Sequence, residues 1–142
     1  EGHNDRRGGG QFSARLTLPL VYAGAIAQSL LDTCGIQMAC HLTGVGPLRF
    51  PKFNGFEQVD ESIPDEVYDY LAKLNGDSVG AKIECIISGV PAGLGEPLYD
   101  SIESRLSHLL FSVPGLKGVT FGDALDMAKG FGSRRAERSP KR

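Results

Sequence analysis

The sequence is poor in the residues that build most metal and disulfide sites. Its three cysteines, Cys34, Cys40 and Cys85, are odd in number and show no C-x-x-C spacing. That argues against a disulfide framework and a structural zinc centre, and fits a reducing cytoplasm. The three histidines, His3, His41 and His108, lack metal-ligand spacing, so no metal is expected. Each reads as structural or exposed rather than catalytic. No Ser–His–acid set can be assembled and the carboxylates show no paired pattern, which leaves catalytic residues unassigned. Charge of one sign is also lacking: 15 basic against 17 acidic side chains, net -2, gives no global attraction to nucleic acid. Long apolar runs are missing too, because Pro, Gly or a charge interrupts each one, so no membrane association is expected. The chain opens on neither a methionine nor a secretory signal, as expected of a processed, cloned or truncated product.

What is present suits one soluble domain. A length of 142 residues, 41% of them hydrophobic and 23% charged, is enough to bury a core and makes disorder the wrong default. Nineteen glycines and eight prolines predict short elements joined by tight turns. The charge is unevenly placed. Arg134, Arg135, Arg138, Lys141 and Arg142 face Glu137 alone in the last nine residues; the remainder holds 10 basic and 16 acidic residues. Such a tail can touch nucleic acid or an acidic surface, but the preferred reading is a solvated, disordered terminus over 134–142, beyond a folded segment 1–133.

Periodicity supplies the elements. After a polar, glycine-rich start, Leu16, Leu20, Gly24, Ala27 and Leu31 form one helical stripe with Ser13 as N-cap and Gly35 as the stop. Pro19 must kink that helix or mark its true start. Ile36 to Thr43 alternates: Ile36, Met38, Cys40 and Leu42 on one face, Gln37, Ala39, His41 and Thr43 on the other, a half-buried strand. A helix is expected over 64–74 and a strand over 79–88. A further helix is expected over 99–111, with Ile102, Leu106, Leu109 and Leu110 inward, then a short strand over 119–121 and a last helix over 124–129. Alternating helices and strands predict an α/β (α+β) fold, helices packed on a sheet.

Three segments could carry chemistry. In Arg6-Arg-Gly-Gly-Gly-Gln-Phe-Ser-Ala-Arg15 the glycines permit close backbone approach, and Arg6, Arg7 and Arg15 add charge able to hold a phosphate or carboxylate. A flexible lead-in to the helix is the plainer alternative. Gly76-Asp-Ser-Val-Gly80 and Gly89-Val-Pro-Ala-Gly-Leu-Gly-Glu-Pro97 flank the second strand, as a ligand clamp or a packing corner. Val113-Pro-Gly-Leu-Lys-Gly-Val119 makes a turn between helix and strand.

Taken in order, these segments resemble chorismate synthases. Arg7-Gly-Gly-Gly-Gln-Phe-Ser-Ala-Arg15 is similar to the family's R-G-G-G-R-[SF]-S-[AG]-R, and Ala23-Gly-Ala-Ile-Ala27 to its A-G-A-I-A helix. Gly76 to Gly80 matches G-D-S-x-G, Gly89 to Pro97 matches G-V-P-x-G-L-G-E-P, and Lys117-Gly-Val-Thr-Phe-Gly122 resembles K-G-V-E-F-G. The resemblance implies a central segment of a β-α-β sandwich enzyme. Such enzymes are cytosolic or plastid homotetramers that eliminate phosphate from 5-enolpyruvylshikimate 3-phosphate to give chorismate. They need reduced FMN, with NADPH a possible reductant. By position, FMN contacts fall on Gln11, Phe12 and Ser13 and on Pro114 and Gly115, with Arg7 and Arg15 as substrate or anion ligands. Gln11 stands where the family has arginine, and Gly115 where it usually has alanine. The family's G-x-S-H-G and R-P-G-H-A-D motifs, bearing the histidines assigned to proton transfer, have no counterpart here, nor have its A-G-G-I and K-P-x-x-T motifs. A non-catalytic remnant binding an anion or a protein partner is the alternative.

The tail carries no large apolar side chain. Deleting Arg134–Arg142 is expected to move the melting midpoint by no more than about 2 °C; calorimetry of the shortened chain checks this, and a loss of many degrees would mean that the tail docks on the acidic body.

Overall fold

The computed structural model describes residues 7–51 and 62–131. The basic tail, His3 and Arg6 lie outside the described residues. The fold is α+β: helices α1 (Leu18–Thr33), α2 (Asp65–Ala72), α3 (Ile102–Leu110) and α4 (Ala124–Met127) with strands β1 (Gln37–Val45), β2 (Leu48–Arg49) and β3 (Ala81–Ser88). The strands form one antiparallel sheet in the order β2-β1-β3. Contacts divide the chain into two compact units, one of Leu20–Ala92 and one of the segments up to Pro19 and from Gly93 onward.

In the first unit the sheet is the organising element. β1 and β3 pair from Gln37↔Ser88 to Val45↔Ala81, with an irregularity between Leu42 and Gly44 that leaves Thr43 as the extra residue of a β-bulge. The bulged residue remains bonded, its carbonyl accepting from the Phe50 N–H at 3.1 Å and its hydroxyl donating to the Lys82 carbonyl at 3.3 Å. Period-two alternation is as expected, but the buried face is the other one. Ala39 and His41 are buried, while Cys40, Cys85, Ile83 and Ile87 on the apolar face are exposed. His41 is 4% exposed, and its Nε2 lies 2.9 Å from Oε2 of Glu84, its cross-strand partner. The separation is that of an ion pair; the alignment is not that of a hydrogen bond.

Helix α1 begins at Leu18, so Pro19 marks the start of the helix rather than a kink, which suits a residue without an N–H in the first turn. Ser13 precedes a separate 3₁₀ turn, Ala14–Thr17, and makes no side-chain cap bond. The stop is the expected one. Ile36 N–H bonds to the Leu31 carbonyl at 3.0 Å and Gly35 N–H to that of Asp32 at 3.0 Å, a Schellman closure with Gly35 at φ 74°. The apolar stripe is not covered: Leu16 and Leu20 are exposed and Leu31 half-buried. The expectation that no apolar run reaches bilayer length fails, because the 3₁₀ turn extends α1 into a 20-residue helical run, Ala14–Thr33, of mean hydropathy 1.2. Length and composition alone distinguish a spanning helix poorly from a core helix that needs neighbours.

Helix α2 starts from Pro64 and carries the buried Val67. Its Tyr70 hydroxyl stands so near Gly46, in the β1–β2 turn, that a Cβ there would lie 2.8 Å from the oxygen. Helix α3, in the second unit, is capped by Ser101, whose Oγ accepts from the Ser104 N–H at 3.2 Å. Of its expected inward residues only Leu106 is half-buried; Ile102, Leu109 and Leu110 are exposed. Residues 119–121 form no strand, so that expectation also fails. These misses share a cause: periodicity identifies which faces match, not whether anything is packed against them.

Two glycines meet where α1 ends and β3 leaves the sheet. At Gly89, φ 75°, an added Cβ would overlap the Gly35 carbonyl oxygen, whereas around Gly35 the space is open. Gly35→Ala is expected to cost about 1–2 kcal/mol from its left-handed backbone alone. Gly89→Ala adds overlap and should cost about 3 kcal/mol or more. Urea unfolding of both variants checks the order; equal losses would show that the overlap relaxes freely.

Candidate functional site

Gly8, Gly9 and Gly10 hold φ of 129°, 82° and 51°, a run of left-handed backbone that side chains resist. The path then tightens into a 3₁₀ turn, Gly10–Phe12, closed by Phe12 N–H to Gly9 O at 2.9 Å. Arg15 folds back over the glycines, its Nη1 donating to the Gly8 carbonyl at 3.4 Å. A Cβ on Gly8 would come within 2.8 Å of that nitrogen, so the missing side chain makes room for the guanidinium. Gln11 and Phe12 are exposed, Phe12 at 55%, and Ser13 is half-buried. Arg7 is exposed. This surface offers a cation, an amide, a hydroxyl and an aromatic face, a donor set suited to a phosphate-bearing, planar ligand.

Pro114 and Gly115 occupy the turn that ends α3. Val113 N–H bonds to the Leu110 carbonyl at 3.0 Å and Leu116 N–H to that of Val113 at 3.2 Å. Gly115 has φ 88° and open space where a Cβ would stand. Both segments belong to the same compact unit, in separate turns. Left-handed backbone at Gly115 favours glycine at that position.

A third feature borders the Gly89–Pro97 loop. Gly95 (φ 86°) packs so closely on the start of α3 that its Cβ would lie 2.9 Å from the Ile102 nitrogen, and Glu96 N–H bonds to the Asp100 carbonyl at 2.9 Å. Open hollows beside this corner are lined by Gly95, Glu96, Asp100, Ser101 and Arg105 among others. The loop is thus at least a packing corner. Its acidic lining, with Arg105 as the one basic side chain, suits an anion poorly. Arg105 escapes a motif-based reading; the signal for it is the Ser101 cap, which places Arg105 one turn along, its N–H on the Ser101 carbonyl at 3.0 Å. Among the described residues no group of three or more His, Cys, Asp or Glu gathers as a metal site.

Comparison with known proteins agrees with these motifs. The family model described as Chorismate synthase matches residues 2–140. A chorismate synthase of Thiobacillus denitrificans is 40% identical over 143 aligned residues, covering 93% of this chain and 39% of that protein. Those of Lachnoclostridium phytofermentans and Thermococcus gammatolerans are 38% and 39% identical, over 93% of this chain and 39% and 40% of theirs. The chain spans about two fifths of the length of the curated relatives it matches. With a match running through nearly every residue from the glycine-rich segment to the tail, the chain belongs to the chorismate synthase family.

Proposed function

We propose that this chain is a segment of a chorismate synthase, a lyase that forms chorismate from 5-enolpyruvylshikimate 3-phosphate by 1,4-elimination of phosphate in aromatic amino acid biosynthesis. The family match over residues 2–140 carries the reading. In it, Gln11, Phe12, Ser13, Pro114 and Gly115 contribute to a pocket for reduced FMN, and Arg7 and Arg15 to the binding of phosphate or carboxylate. Reduced FMN, when bound, supplies the electron density that eases departure of the phosphate. The chain's part is to bind and orient. The Gly8–Gly10 backbone lets a ligand approach closely, and the Arg15 guanidinium, resting on Gly8, supplies charge. Phe12 offers an apolar face that keeps water from a flat ring. The compartment in this reading is cytoplasmic, with NADPH as a possible reductant and no nucleic acid or membrane as partner.

A homo-oligomer, a tetramer in the family, accounts for the exposed apolar surface. Leu18, Val21, Tyr22 and Leu30 of α1 are 65–72% exposed. Such surface is normally covered by further chain or by a copy. Sedimentation at low micromolar concentration is expected to show self-association, with binding of the dye ANS. A monomer that binds no dye would overturn this part of the proposal.

Gln11 weighs on activity. A glutamine amide replaces the arginine of the resembled motif, and a charge-assisted hydrogen bond is worth about 1.5–3 kcal/mol. The 142-residue chain by itself is expected to bind FMN weakly and to form no chorismate. Gln11→Arg should tighten FMN binding about tenfold. Titration with oxidised and reduced FMN, with and without the enolpyruvyl substrate, then an anaerobic chorismate assay, checks this. Submicromolar affinity or turnover by the unmodified chain would refute it, and a Gln11→Arg substitution without effect would remove Gln11 from the pocket.

A further inference from the structure

The register of β1 and β3 sets Cys40 directly opposite Cys85. Opposed residues of an antiparallel pair share a face, so the two thiols stand side by side, and both are exposed. The ladder pairs Met38↔Ile87 and Leu42↔Ile83 flank them on that face. Opposed Cα atoms in such a ladder are about 4.5–5.5 Å apart, inside the roughly 4.4–6.8 Å that a disulfide spans. Cys34 is also exposed but lies in the turn after α1, outside the ladder, and serves as an internal reference.

We propose that Cys40 and Cys85 form a redox modification site, a facing dithiol that a low-molecular-weight disulfide of the glutathione class converts to a cross-strand disulfide. The thiolate of one cysteine attacks a sulfur of glutathione disulfide, whose S–S bond breaks and releases one glutathione thiolate. The facing thiolate then attacks the protein sulfur of the mixed disulfide, forming the Cys40–Cys85 bond and expelling the second glutathione. The two cysteines lose two electrons and two protons, and the glutathione disulfide gains them. Ladder pairing holds the second thiol beside the first, so the mixed disulfide is resolved within the chain rather than by a solvent thiol. The product staples β1 to β3. Opposed Cβ atoms start about 4.5–5.5 Å apart, wider than the roughly 3.5–4.5 Å of a relaxed disulfide. The bond reopens by the same exchange with a reduced thiol, so the modification is reversible.

The test treats the full chain with glutathione disulfide, alkylates remaining thiols and maps peptides without reduction. The expected product is a single chain with Cys40 of peptide 16–49 linked to Cys85 of peptide 83–105, no glutathione on either of these two cysteines, and reopening by dithiothreitol. Cys34→Ser should leave this unchanged. Cys85→Ser should instead retain one glutathione at Cys40. A link through Cys34, a link only between chains, or stable glutathione adducts on both Cys40 and Cys85 would overturn the proposal. Fragmentation of the linked peptides from the unsubstituted chain, which tells Cys40 from Cys34 within 16–49, decides the matter even where a variant fails to fold.

Discussion

The pairing of β1 with β3 is the constraint on which the larger unit depends. It joins residues 36 to 51 positions apart and runs from Gln37↔Ser88 to Val45↔Ala81. Both ends are closed by backbone. At one, Gly89 presses on the carbonyl of Gly35, the residue that terminates α1; at the other, Gly46 N–H bonds to the Gly80 carbonyl at 2.9 Å. The ladder therefore decides where α1 stops, where the β1–β2 turn forms and where the Gly89–Pro97 loop departs. It also buries His41, with Nε2 2.9 Å from Oε2 of the partly exposed Glu84.

The buried apolar residues among those described are few: Ala39, Val45 and Val67. Large side chains lie outside, along α1, on one face of the sheet and around α3. A domain core built on this scale stabilises little by itself. The apolar run through α1 is among these exposed surfaces, and length and composition alone do not separate a core helix from one in lipid.

Two features of the smaller unit differ in chemistry. The Gly8–Arg15 segment combines left-handed glycines with a guanidinium and suits an anion. The hollow beside Gly95 is lined by Glu96 and Asp100 and suits the opposite charge, with Arg105 offsetting only part of it. Glycine serves both, but for different reasons. At Gly8 it admits an arginine side chain, and at Gly95 it lets a loop lie against the first backbone nitrogen of a helix.

Local signals were legible in the sequence because they depend on local physics. Pro19 and Gly35 bound α1, Pro64 and Asn75-Gly76 bracket α2, and the alternation around Ala39 and His41 marks a strand, each through backbone sterics or side-chain period. The ordered motifs, above all Gly89 to Pro97, identified the family without any structure. What the sequence could not carry was which face is covered. Ile36, Met38, Cys40 and Leu42 form the more apolar face of β1, yet Ala39 and His41 are the buried residues, because burial depends on what packs opposite and not on a strand's own pattern. The Cys40↔Cys85 pairing, the Thr43 bulge and the contact of Gly89 with Gly35 likewise exist only once β3 returns beside β1, since register is a property of two segments and neither one contains it.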